Sequence, residues 1–172
     1  MARILILGGG CRGRELARAM RADGHAVRIT TRSEAGRAAI EATGSECWIG
    51  TPDRLATIRA ALDSVTILCW LMATAQGSPQ ELAALHGTRL EFLLTQAIDT
   101  TIRGVLYEAA APAQAPPHSA QLLAEGERRA RALLALNSIP AVFLTAPPHD
   151  RAGWLEQARA GVHSLLGGGA GA

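Results

Sequence analysis

The sequence predicts an α/β protein: a doubly wound, parallel six-stranded sheet with helices on both faces and the strand order 3-2-1-4-5-6. Three observations predict it. A strand, a glycine loop, a helix and a second strand open the chain over about 30 residues, the length of one βαβ unit. Short apolar runs then alternate with helix-period segments until six of each have passed. One of those runs, Val65 to Met72, is apolar throughout, as suits a central strand buried on both faces.

The first unit runs from Arg3 to Arg32. Ile4 to Leu7 is short enough for a buried strand, and Gly8-x-Gly10-x-x-Gly13 follows it directly. Gly8 permits the strand-to-helix turn, Gly10 lets a pyrophosphate approach the backbone, and Gly13 lets the helix pack against the sheet. Helical spacing takes over through Leu16, Ala19 and Met20, with Gly24 as the stop and Ala26 to Thr31 as the second strand. A helix N-terminus at a glycine loop binds phosphate through backbone N–H groups and its dipole. The pattern therefore predicts a dinucleotide site that includes Gly8, Gly10, Cys11, Arg12 and Gly13.

Further along, Ser33 is placed to cap a helix ending near Ala42, and Glu46 to Ile49 reads as strand three. Thr51-Pro52-Asp53 predicts a helix to about Leu62, with proline near its first turn. After the central strand, Ser78-Pro79-Gln80-Glu81 forms a capping box, which predicts one long helix reaching about Ile98. Arg103 to Ala109 is the fifth strand. Residues 110 to 118 form a proline-rich loop suited to a lid, and Ser119 opens a helix to about Leu136. Pro140 to Ala146 is strand six, Asp150 caps a last helix to about Leu166, and 167–172 is a flexible Gly/Ala tail. Residues 1–166 thus form one domain, a size that supports a proper core.

Composition narrows the function classes. Aromatics are 3% of the 172 residues, so the core rests on Leu, Ala, Ile and Val. A formal charge of +2, spread along the chain, gives no reason to expect a nucleic acid or an anionic membrane as partner. All 17 basic residues are arginine, which excludes a lysine base, a lysine Schiff base and a phosphate-loop lysine. Cys11, Cys47 and Cys69 lack pairing or metal spacing and read as reduced thiols, with Cys11 open to a redox role near a helix N-terminus. No apolar run is long enough to span a bilayer and no signal peptide precedes the first strand, so a cytoplasmic location is expected. No metal-ligand cluster is predicted.

The end of strand two bears on which dinucleotide is bound. An NAD site places an acidic residue there for the adenosine ribose. This chain has Thr31, Arg32 and Ser33 instead, and an arginine with two hydroxyls suits a 2′-phosphate. Arg12, within the glycine loop, is expected to reach the same region. NADP(H) is therefore favoured over NAD(H), the alternative being that Arg32 is only a solvated strand end.

These pieces together resemble the atypical short-chain dehydrogenase/reductases, of the NmrA-like and sugar-nucleotide-epimerase-like kind, reduced to their nucleotide-binding core. The resemblance runs from Arg3 to about Pro147. It implies that Thr51 and Asp53, in the turn after strand three, lie beside the adenine. It implies too that His86-Gly87-Thr88 belongs to a helix packing behind the site, and that the end of strand five faces the nicotinamide. Trp70 and Leu71 would then form an apolar wall at the end of strand four.

The chain departs from the family where chemistry is concerned. Its single tyrosine, Tyr107, is followed four residues later by Ala111, so the family's Tyr-x-x-x-Lys pair is missing, and Glu108 follows where a serine is expected. Tyr107 and Glu108 remain the candidate acid/base groups, the alternative being core packing for Tyr107 and an arginine pair for Glu108. His118 and His149 are weaker candidates. The reading is an NADP(H)-binding oxidoreductase acting on a small carbonyl or quinone-like compound. The alternative is a non-catalytic redox-sensing or regulatory module, and a third possibility is a partner-binding scaffold. The sequence leaves oligomeric state open, a homodimer being one alternative because the helices flanking strands four and five often pair two subunits in this fold.

Overall fold

A computed structural model describes residues 1–8 and 10–167. The sheet has six parallel strands in the order β3-β2-β1-β4-β5-β6, as the alternation predicts. The strands are β1 (Arg3–Leu7), β2 (Ala26–Thr31), β3 (Glu46–Ile49), β4 (Ile67–Trp70), β5 (Gly104–Glu108) and β6 (Ala141–Leu144). The order reverses at β1 and β4, which pair from Ile4↔Ile67 to Leu7↔Trp70.

Alternate side chains of each strand feed opposite cores. Leu5, Leu7, Leu68, Trp70, Val105 and Tyr107 face one layer, where α4 (Leu90–Ile98) and α5 (Pro117–Leu136) contribute Leu90, Leu93, Leu94, Ala130 and Leu134. Ile4, Ile6, Ile67, Cys69 and Leu106 face the other. There α1 (Cys11–Ala22) and α6 (Arg151–Gly167) supply Leu16, Met20, Trp154, Ala158 and Val162. This two-sided burial is why β4 is apolar at every position.

Three local expectations change. The segment after β3 is not an α-helix but two short 3₁₀ turns, Leu55–Thr57 and Ala60–Leu62. Tertiary partners take the groups an α-helix would use. Trp48 Nε1 donates to the Thr57 carbonyl at 2.7 Å, and the buried Arg28 donates to the Ala61 carbonyl at 2.6 Å. Thr57 Oγ1 accepts from Thr51 N and donates to the Arg54 carbonyl, a local alternative to helical bonding.

The long helix from Ser78 is interrupted. Its capping box forms as predicted, and α3 (Pro79–Ala84) follows. A π-turn, Leu85–Arg89, then intervenes before α4, with Gly87 at the non-helical φ −117°, ψ −105°. Ser33 makes no side-chain cap. A 3₁₀ turn, Glu34–Gly36, precedes the short α2 (Arg37–Glu41).

Two further boundaries shift or hold. α5 starts two residues earlier than Ser119, at Pro117, so His118 lies in its first turn. Asp150 caps α6 as expected, with Oδ1 accepting from Gly153 N at 3.1 Å. Of the expected tail, Gly167 ends α6 and 168–172 lie outside the described residues.

Candidate functional site

The carboxyl ends of the central strands border a cleft of about 390 Å³, at the switch point where ligands bind in open α/β sheets. The glycine loop forms one wall. Gly8 has φ +118°, and a Cβ there would collide with the Leu71 carbonyl. A Cβ on Gly13 would collide with the Gly8 carbonyl. The fold itself therefore demands glycine at 8 and 13.

Gly10 differs. Its φ is −68°, open to any residue, and a Cβ there would meet no described protein atom within 4 Å. It faces the cleft, so what glycine leaves room for at this position is not protein. Beside it, the first helical hydrogen bond of α1 runs from Arg14 N to the Gly10 carbonyl. The N–H groups of residues 11–13 thus have no acceptor within the helix, and the first turn carries no acid. An anion cradle results.

Most predicted cofactor residues meet here. Gly8, Gly10, Cys11, Arg12, Gly13, Thr31, Arg32, Thr51, Asp53 and Leu71 all border the cleft. Arg32 is exposed at the end of β2. Its charge adds to the Ser78 hydrogen bonds that hold the Glu81 carboxyl below the usual range, which sets α3 close to this end of the cleft. The Asp53 carboxylate accepts from the Thr51 hydroxyl at 3.3 Å. Cys11 is exposed, and its sulfur accepts from Arg14 at 3.6 Å. Burial pushes the Cys69 thiol up.

Others lie elsewhere. Trp70 is fully buried among the α4/α5 core residues, behind the cleft and not in its wall. Ser33 is exposed and does not border it. Arg12 lies at the cleft, but its guanidinium is committed to the β5 end of the site. Its Nη2 donates to Glu108 Oε1 at 2.8 Å and to Thr74 Oγ1 at 3.2 Å, and it stacks 5.3 Å from the Trp154 ring centre.

Glu108 is saturated. It is 0% exposed, its Oε1 also accepts from Trp154 Nε1 at 2.9 Å, and its Oε2 accepts from Ala73 N at 2.9 Å. It ties together α1, the β4 end, β5 and α6 as the buried ion-pair partner of Arg12. Tyr107 is likewise fully buried, with its ring 5.7 Å from that of Phe143. Its hydroxyl has no partner, and burial, with Glu127 and Glu108 adding, raises its pKa. Neither residue borders the cleft.

A second cleft of about 330 Å³ adjoins the first through Thr74 and Ala75. The proline-rich loop forms one side through Pro112, Gln114, Ala115 and Pro116, and it does not border the first cleft. Leu82, Leu122, Leu123, Ser119 and His86 line it too, with Ala73 and Gln76 beside the shared residues. His118 faces a separate shallow groove beside Pro79 and Glu125. Sequence reasoning placed His86 only behind the site. A glycine directly after it, inside a helical pattern, was the signal that the helix breaks there. Among the described residues no three His, Cys, Asp or Glu side chains cluster to hold a metal, and no helix is long and apolar enough to cross a membrane.

A six-stranded parallel sheet with a glycine loop at its switch point defines a Rossmann-type fold. Solved structures share it. The protein gox2253 superposes with a TM-score of 0.71 at 19% identity, over 84% of this chain and 51% of that one. UDP-glucuronic acid 4-epimerase from Bacillus cereus, solved with NAD, gives 0.65 at 13% identity, over 83% and 55%. Triphenylmethane reductase from Citrobacter sp., solved with NADP(H), gives 0.64 at 17%, over 83% and 48%. The chain thus spans about half the length of these proteins, and what they share with it is the fold. No protein-family model matches the sequence, and no curated protein matches it.

Proposed function

We propose that this chain is an NADP(H)-binding Rossmann protein of the atypical short-chain dehydrogenase/reductase kind, acting as an oxidoreductase on a small carbonyl or quinone-like compound. The observation that carries the reading is Gly10, a glycine the fold does not require, facing an anion cradle at the switch point. NAD and NADP(H) in the solved structures of similar fold support a nicotinamide dinucleotide. When bound, a reduced nicotinamide supplies a hydride.

The chain's own residues divide the binding work. The N–H groups of residues 11–13 hold the pyrophosphate, while Thr31 and Arg32 take the ribose 2′-phosphate. Thr51 and Asp53 border the adenosine side, and Leu71 with Met72 excludes water at the β4 end. Glu108 and Arg12 orient the loop between them and take no part in proton transfer.

A second reading, a dinucleotide sensor without turnover, is favoured by one observation: Tyr107 and Glu108 are both withdrawn from the cleft. Titration of the protein with NADPH and separately with NADH, read by calorimetry, tests the cofactor. Tighter binding of NADPH supports the proposal, and binding of neither overturns it. Oxidation of NADPH with carbonyl compounds present then separates enzyme from sensor.

A further inference from the structure

Resting on that reading, we propose that the second cleft is a substrate chamber for an apolar molecule bearing a carbonyl oxygen, and that His86 is its polar anchor. Three observations carry it. His86 is 5% exposed, yet it borders the chamber and its Nδ1 is buried without a partner. Buried imidazoles ordinarily find partners for both nitrogens, and neither nitrogen of His86 has one among the described residues, Nδ1 being sealed off and Nε2 left to meet a ligand. Second, the chain departs from regular helix at this residue. The π-turn Leu85–Arg89 sits between α3 and α4, and such single-turn insertions recur at functional sites. Third, the chamber and the first cleft share Thr74 and Ala75 in their walls, so its occupant and a nicotinamide would lie side by side.

The chemistry of the lining selects the ligand. Leu82, Leu122, Leu123 and the prolines of the loop accept an apolar body, and Thr74, Gln76, Gln114 and Ser119 add uncharged polar groups. Among the described residues no acidic or arginine side chain borders the chamber. Burial holds the ring neutral at ordinary pH. A neutral imidazole has one N–H, and an unpartnered nitrogen costs less as a bare lone pair than as a buried N–H. Nδ1 is then the bare nitrogen, and Nε2 carries the proton and donates. A carbonyl oxygen is the acceptor that fits an uncharged donor in an apolar wall. Behind the ring, Gly126 on α5 allows close packing: a Cβ there would lie 3.0 Å from the His86 carbonyl and 2.5 Å from the Tyr107 hydroxyl.

The test compares 9,10-phenanthrenequinone with phenanthrene, the same ring system without carbonyls, by calorimetry in the presence of NADP⁺. In the unaltered protein the quinone binds more tightly than the hydrocarbon. His86→Leu weakens the quinone by about tenfold, the scale of one hydrogen bond in an apolar setting, and leaves phenanthrene unchanged. His86→Gln keeps an N–H donor and recovers part of the loss. NADPH affinity stays the same in both variants, because His86 does not border the first cleft. Quinone binding indifferent to His86, or no preference over phenanthrene, overturns the proposal. Should the variants misfold, the ¹⁵N signals of His86 in the unaltered protein decide it: a shift on adding quinone supports the anchor, and none overturns it. Quinone binding that depends on His86 in a protein that binds no NADPH keeps the chamber and sinks the dinucleotide reading instead.

Discussion

Arg12 Nη2 donates to Glu108 Oε1 at 2.8 Å, joining two residues 96 apart in sequence. With Trp154 Nε1 and Ala73 N on the same carboxylate, the pair fastens the glycine-loop helix to β4, β5 and α6. A fully buried carboxylate with three donors is stable only while its partners remain. Glu108→Gln is therefore expected to cost about 3 kcal/mol or more, the scale of a broken buried pair, and to lower the melting temperature by roughly 6–12 °C in a domain of this size. Thermal unfolding of Arg12→Ala, Glu108→Gln and the double variant checks it. The double variant should lose clearly less than the sum, and simple additivity would show that the two side chains do not act as a pair.

The three loop glycines are expected to separate by experiment. Gly8→Ala forces a left-handed φ and a collision with the Leu71 carbonyl, so it should destabilise the fold by about 1–3 kcal/mol. Gly10→Ala faces open space and alters only a helix N-cap, at a cost of about 1 kcal/mol or less. Yet Gly10→Ala should lose dinucleotide affinity by at least about tenfold, because its methyl occupies the room of the pyrophosphate. Denaturant melts alongside NADPH titrations measure both quantities. Unchanged affinity in Gly10→Ala would remove the observation on which the functional proposal stands.

What could be read from the sequence was local. The glycine loop, the capping box at Ser78 and the cap at Asp150 each use residues within five positions of one another, and each formed. The strand order followed from six alternating units with right-handed crossovers, which leave only a few arrangements, and from a glycine loop at the first of them. What could not be read depends on distant partners. Arg28, from β2, takes the Ala61 carbonyl and unwinds an expected helix, 33 residues away. Arg12 does not reach the end of β2 for the same kind of reason: the buried Glu108 carboxylate, 96 residues away, holds its guanidinium. The second cleft forms between the proline-rich loop, α3, the π-turn and α5, and no single stretch encodes it.

Arg32 is expected to decide between the two dinucleotides. It borders the cleft at the end of β2, with Thr31 beside it and no acid before Glu34. Charge-assisted hydrogen bonds to a phosphate are worth about 1.5–3 kcal/mol, so Arg32→Ala should weaken NADPH by roughly ten- to a hundredfold and leave NADH nearly unchanged. Arg32→Asp should go further and invert the preference, since a carboxylate repels the 2′-phosphate and accepts from a ribose hydroxyl. Equal loss for both dinucleotides would mean that Arg32 acts on the cleft wall and not on the phosphate.

His86 ties stability to pH in a direction its burial fixes. Desolvation lowers its pKa from 6.5 to about 4 in the folded protein. Between those values the unfolded chain binds the proton more readily than the folded one, so stability rises with pH through that window. The contribution is fully present above about pH 6.5 and fades as pH falls toward 4, amounting to about 3 kcal/mol at most. Carboxylates held low by arginine partners, such as Glu34 and Glu125, also lose stability in acid, but they do so equally in a His86→Gln variant. Urea unfolding of both proteins at intervals from pH 7.5 to 4.5 isolates the histidine term. The curve of the unaltered protein should fall more steeply between pH 6.5 and 4.5 than that of His86→Gln. Parallel curves would mean that the imidazole keeps an ordinary affinity for protons, and with it a solvent partner that the buried site is argued to lack.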